Sequence, residues 1–266
     1  MSKEHLWPSW ARATLLDTEK DMVVPHSIES SEAVSVREWD APAFSATLKR
    51  VCLQCNNGWM SDLEHRAQPY ATPLILGTPT TVDASAQRSL AIWAYLKCLL
   101  FVTVAGGQLA DVYAVASKTF FEIQSHDLLP LHTSVFVAHH VGPRQGQYQC
   151  RLLGKPDRPV CFVQTFTIKQ LTIQVVNNYL VRAPIEFERD PRLGNVDQRI
   201  WPTGADFDWP MENGLDDAGL TIYTGPQVHT AEESRRAQRT RKKLSPSARR
   251  NKRLATKRAR RRGRRG

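Results

Sequence analysis

The chain of 266 residues has only five cysteines, an odd number and unevenly spaced. That excludes the paired framework of a small secreted disulfide scaffold. No apolar stretch follows the start, because Met1-Ser2-Lys3-Glu4-His5 turns polar at once. A secretory leader is therefore not expected. Long hydrophobic runs are also missing. The best candidate, Ala91 to Ala105, is too short for a membrane span and carries Lys97 in its middle. The expectation is a soluble, cytoplasmic protein without a membrane partner. The last 32 residues lack any acidic or aromatic side chain. Such a segment cannot bury enough surface to offset its ordering entropy, so by itself it is expected to be disordered.

The formal charge of +10 is accordingly two charges of opposite sign. Residues 235–266 hold 17 Lys/Arg, leaving 19 basic against 26 acidic residues in the first 234, a net charge of −7 there. The high isoelectric point thus describes a tail and not the body. The basic clusters are Arg241-Lys242-Lys243, Arg249-Arg250, Lys252-Arg253, Lys257-Arg258 and Arg260-Arg261-Arg262. These side chains suit DNA or another nucleic acid, in contacts blind to sequence, because phosphate neutralisation carries no base information. A solubilising or targeting extension has the same composition.

The body is expected to be α+β. Pro8, Pro25, Pro42 and Pro69 break up the first seventy residues, which read as irregular, with a surface loop over 27–32. Ala46 to Val51 reads as a short strand. From Asp83 a core helix begins, with Leu90, Trp93, Ala94, Leu96, Leu100 and Phe101 at mostly helical spacing, and Gly106-Gly107 to stop it. Lys97 is the one charge in that run, and Cys98 reads as a small packed hydrophobe. Strands are expected over 134–138, 148–152, 160–166 and 171–176, the last two as a hairpin or consecutive pair. Cys150 and Cys161 fall inside them, where burial explains both. Trp201-Pro202 and Trp209-Pro210 read as plugs at the rim of a core, and 203–225 as a covering loop. The organisation that follows is 1–70 as a knuckle region, 71–230 as an α+β domain, and 231–266 as the basic tail.

Chemistry concentrates in Val51-Cys52-Leu53-Gln54-Cys55-Asn56-Asn57-Gly58-Trp59-Met60-Ser61-Asp62-Leu63-Glu64. Cys-x-x-Cys brings two thiolates within reach of one zinc ion and leaves two tetrahedral positions to fill. Thioredoxin-like redox chemistry would want the pair in a βαβ unit, which the pattern does not offer. Asn57 or Ser61 is placed to cap the helix that follows, with Asp62 and Glu64 in its first turn.

Lys3-Glu4-His5-x-Trp7-Pro8-x-Trp10, taken with Cys-x-x-Cys-Asn-Asn-Gly-Trp-Met-Ser-Asp-Leu-Glu, resembles a group of HNH-endonuclease-like (ββα-metal) proteins of bacteria and their phages. The resemblance is specific over 2–10 and 51–66 and looser over the Leu90–Phe101 helix and the late Trp-Pro segment. It implies phosphodiester hydrolysis at a magnesium or manganese ion, with His5 as the general base and Glu4 beside the ion. Asn56 or Asn57 would complete the site, with Asn57 preferred. It further implies a structural zinc, of which Cys52 and Cys55 would be one pair. The family's other Cys-x-x-Cys falls a short way ahead of the acid–His pair, and Met1–Lys3 here hold no cysteine. His26 and His65 stand at no recognisable finger spacing from Cys52 and Cys55. The alternative is a nucleic-acid-binding or regulatory protein in which a degenerate HNH region does no catalysis.

Overall fold

A computed structural model of the chain describes residues 4–15, 23–30, 35–42, 47–49, 51–104, 120–124, 128–155, 158–178, 185–188, 190–224 and 227–230. The basic clusters from Arg241 onwards, and the Gly106-Gly107 helix stop, lie outside the described residues.

Two long helices and one large sheet make the frame, so the fold is α+β. Helix α3 (Ser61–Leu76) packs along α4 (Ala84–Val104). Helix α4 begins where expected, because Asp83 Oδ1 accepts the Ala86 backbone N–H at 2.8 Å and so caps its first turn. Every residue from Leu90 to Phe101 is buried, so this stretch of α4 has no solvent face. Helix α3 ends at Gly77, whose φ of +66° lets its N–H reach back to Leu74 and Pro73 carbonyls. A Cβ there would meet both the left-handed penalty and the Gln170 carboxamide, so glycine is required.

The strands of the frame are β2 (Val23–Ser30), β3 (Ser35–Pro42), β6 (Thr133–His140), β7 (Gly146–Lys155), β8 (Arg158–Ile168), β9 (Leu171–Asn178) and β11 (Asp197–Trp201). They run in the order β11-β6-β9-β8-β7-β2-β3, and β13 (Gly214–Leu215) adds to β6 as an eighth strand. Pairing is antiparallel except for β2 on β7 and β13 on β6. The expected hairpin is present: β8 and β9 turn at Lys169-Gln170 with Phe166 opposite Ile173.

Alternation along β8 and β9 sorts their side chains by face. Phe166 and Ile173 join the apolar cluster that also contains Leu90, Trp93 and Phe101 of α4. Thr165, Thr167, Thr172 and Gln174 point the other way and are also buried. They satisfy one another: Thr167 and Thr172 hydroxyls meet at 2.9 Å, and Gln174 Nε2 donates to Thr165 Oγ1 at 2.8 Å. Gln174 also donates to the Tyr223 carbonyl of α6 (Asp217–Tyr223), which ties that helix to this polar strip. Burial without loss of hydrogen bonding is what makes such a strip tolerable.

The first seventy residues are less irregular than their prolines suggested. Residues expected to form a loop from Ser27 lie in β2 as far as Ser30, and β2–β3 extends the large sheet through β7. Pro25 is accommodated in β2, opposite Asp40 of β3. Residues 203–225 are likewise more ordered than a loop. They contain β12 (Phe207–Trp209), which pairs with β5 (Thr80–Val82), and α6. Trp209 is buried, as its plug role requires. His140 of β6 fixes α6, its two ring nitrogens facing the Lys169 carbonyl at 2.9 Å and Asp217 Oδ1 at 2.9 Å. The chain divides into two units, and the described residues of the second are 185–188 and 228–230. Among its described residues are β10 (Ile185–Glu188) and most of β14 (Gln227–Thr230), which pair as a two-stranded sheet.

A histidine is among the titratable groups inside the core. His26 on β2 is 2% exposed and packs against Trp7, Phe101 and Tyr148. Its Nδ1 lies 2.7 Å from the Val24 carbonyl, and Trp7 Nε1 donates to its Nε2 at 3.4 Å. Burial pushes its pKa below the ordinary 6.5, and the Val24 carbonyl and Asp40 only partly oppose this. The unfolded chain therefore takes up a proton that the folded chain resists, so stability present above pH 6.5 is lost as pH falls through the folded value. We expect the melting temperature to drop between pH 7 and pH 5, and His26→Gln to flatten that drop. An unchanged slope in the variant would show that other groups set the acid limb.

Candidate functional site

The Glu-His pair sits on a two-residue strand, β1 (Glu4–His5), paired antiparallel with β4 (Thr47–Leu48) so that Glu4 faces Leu48 and His5 faces Thr47. Strand alternation then separates the two side chains, with Glu4 buried and His5 exposed. Leu6 and Trp7 follow into the core, and α1 (Ser9–Thr14) turns the chain back.

Past β4, Val51 is buried and Cys52 is extended at φ −72° and ψ 154°. The Cys52 thiol sulfur accepts the Cys55 backbone N–H at 3.1 Å, which starts a single helical turn, α2 (Leu53–Cys55). A π-helical stretch, Asn56–Met60, joins α2 to α3, with Gly58 outside helical angles at φ −103° and ψ −119°. The helix is therefore started by Cys52, and not by Asn57 or Ser61 as the sequence suggested. The helical run kinks at Gly58, and both asparagines lie just ahead of that kink.

These elements close around one cleft with about 180 Å³ of space for water. β1 and α1 contribute Glu4, His5 and Ser9, while the π turn and α3 contribute Asn56, Asn57, Met60, Ser61 and Glu64. Residues fifty positions apart thus share one wall-to-wall opening. That brings together His5, Glu4 and Asn57, the three side chains singled out for catalysis, with Asn56 beside them.

The floor of the cleft holds a residue that sequence reasoning noticed but left without a role. Lys97 reaches out of α4 with its side chain 2% exposed, and its ammonium donates to Glu4 Oε1 at 3.2 Å and to the His5 carbonyl at 3.3 Å. It also forms an ion pair with Glu64 Oε1. Two carboxylates from separate elements therefore share one buried cation. The Glu4 carboxyl is pushed above its ordinary value: burial dominates, Lys97 opposes it, and nearby Glu64 adds to it. The signal was a lone lysine in an otherwise apolar helix, because a charge taken into a core needs a partner. Its partners, 93 residues away in sequence for Glu4 and 33 for Glu64, are not visible from spacing.

Cys52 and Cys55 sit at the mouth of the helix that carries the asparagines, the first exposed and the second half-buried. Hydrogen bonds from the Cys55 thiol and N–H pull the Cys52 thiol below its ordinary pKa, while the same thiol–thiol contact raises Cys55. A structural zinc needs four ligands. Among the described residues no group of three or more His, Cys, Asp or Glu side chains is placed to hold one metal ion. The described residues thus do not fit the zinc that the resemblance implies: the pair supplies two ligands, and Cys98 and Cys150 are buried as packing residues. Nor do they fit a resident magnesium or manganese ion, since Glu4 and Glu64 are both engaged by Lys97. The knuckle does lie at a strand-to-helix junction, but β4 belongs to an antiparallel pair and not to a βαβ unit.

Among the described residues no helix is long and apolar enough to cross a membrane. No protein-family model, curated protein or solved structure matches this chain.

Proposed function

We propose that this chain associates with nucleic acid and hydrolyses its phosphodiester bonds in the Glu4–His5 cleft, in the manner of the HNH-like proteins it resembles. The observation that supports this reading is the convergence of Glu4, His5, Asn56 and Asn57 on one opening from two distant segments. His5 is exposed there, so its imidazole can meet a water molecule and take its proton. The Asn56 and Asn57 carboxamides can donate to the non-bridging oxygens of a phosphate and accept from the attacking water. Glu4, Lys97 and Glu64 act beneath, and Lys97 holds the His5 backbone through its carbonyl. The carboxylates that a metal ion would need are engaged by Lys97. The tail, with 17 basic residues and no acidic one, would hold the substrate's phosphates.

The Lys97 pairing favours a second reading in its own right. If the ammonium has replaced the catalytic ion without replacing its chemistry, the chain is a non-catalytic nucleic-acid-binding or regulatory protein with a degenerate HNH region.

Nicking of supercoiled plasmid by the purified chain, assayed with and without magnesium or manganese, separates the two. The hydrolytic reading expects nicking that His5→Ala reduces about 10²–10⁴-fold, the usual contribution of a general base. Nicking that survives His5→Ala would come from elsewhere, and no nicking by the intact chain would leave the binding reading. For the tail, deletion of 235–266 should abolish DNA retention that is strongly salt-dependent. With ~6–10 phosphate contacts, that retention should weaken roughly 10³–10⁵-fold between ~50 and ~200 mM salt. Equal retention by the truncated chain would remove the tail from the account.

A further inference from the structure

The Glu4–Glu64 pair gathers two hard oxygen ligands beneath His5, with the His5 carbonyl as a third oxygen within reach of the same point. Two carboxylates and a carbonyl are the donors that magnesium and manganese select, with water completing the shell. What stands at that point is Nζ of Lys97. We propose that Lys97 is the cleft's resident cation, its ammonium filling the seat between Glu4 and Glu64 that a divalent ion would otherwise take and keeping the intact chain closed to metal there.

Three features carry this. Lys97 lies on a helix whose residues from Leu90 to Phe101 are all buried, so its charge has no solvent to return to and is committed to the cleft floor. Its ammonium meets three oxygens, donating to Glu4 and to the His5 carbonyl and pairing in charge with Glu64. The two carboxylates come from β1 and α3, which are joined here by α4, so the seat exists only in the folded chain. Lys97 is therefore a positioning residue: it orients Glu4 and the His5 backbone and does not itself reach the cleft's open side.

The inference rests on the cleft being the working site, but its test reads cation occupancy and not DNA cleavage. Manganese is titrated into the intact chain and into Lys97→Met, with free Mn²⁺ followed by electron paramagnetic resonance. We expect Lys97→Met to bind one Mn²⁺ about tenfold or more tighter than the intact chain, and Glu64→Gln added to it to remove that gain. Should Lys97→Met fail to fold, Lys97→Gln keeps a donor between the carboxylates and is titrated in the same way. Manganese should then raise the melting temperature of the variant and leave the intact chain's unchanged. Equal binding by the intact chain, or no gain in either variant, would overturn the proposal. A chain that fails to nick DNA yet shows the gain would lose the hydrolytic reading and keep this one.

Discussion

The structure turns on the need to neutralise one ammonium group inside a protein core. Lys97 sits on α4 with its side chain 2% exposed, and a bare charge in that setting would cost far more than the fold could tolerate. Its solution is to draw Glu4 from the N-terminal strand and Glu64 from α3 to the same point. Three segments far apart in sequence are thereby pinned together, and the cleft is the space left above them. His5 inherits its position from this arrangement, because the strand that buries Glu4 must expose the next residue and because Lys97 holds the His5 carbonyl.

The same pinning sets the charge beneath the cleft. β1 pairs with β4, and the chain then enters the helical run bearing Asn56 and Asn57. Lys97 is the cation between the two carboxylates, and the Glu4 carboxyl, desolvated there, is harder to ionise than usual. Cys52 has a structural task, since its sulfur starts the helix by accepting the Cys55 N–H. A motif that elsewhere reads as ligand here also works as a cap.

Much of the frame was legible because it depends on local pattern. Asp83 before an apolar run marked the start of α4, and β-branched alternation marked β6 to β9. The strand ahead of the knuckle was also legible, and among the described residues of Ala46 to Val51 it is formed by Thr47–Leu48. The prolines misled. Pro25 sits within β2 of the large sheet and does not end it, because pairing with β3 and β7 outweighs a local preference. The order around Phe207–Trp209 was invisible for a similar reason, since its partner, Thr80–Val82, lies 125 or more residues earlier. At the site, Glu4, His5 and Asn57 could be picked by type and motif. Glu64 could be seen only as a helix-start acid, and Lys97 only as an anomaly, because a buried ion pair is a fact of three dimensions.

The central claim is that Lys97, Glu4 and Glu64 act as one electrostatic unit and not as three neighbours. A double-mutant cycle between Lys97→Met and Glu4→Gln, read by denaturant unfolding of the intact chain at pH 7, measures this most directly. The account predicts that Glu4→Gln partly rescues Lys97→Met, with a coupling energy of about 1–3 kcal/mol. Strict additivity of the two substitutions would contradict it.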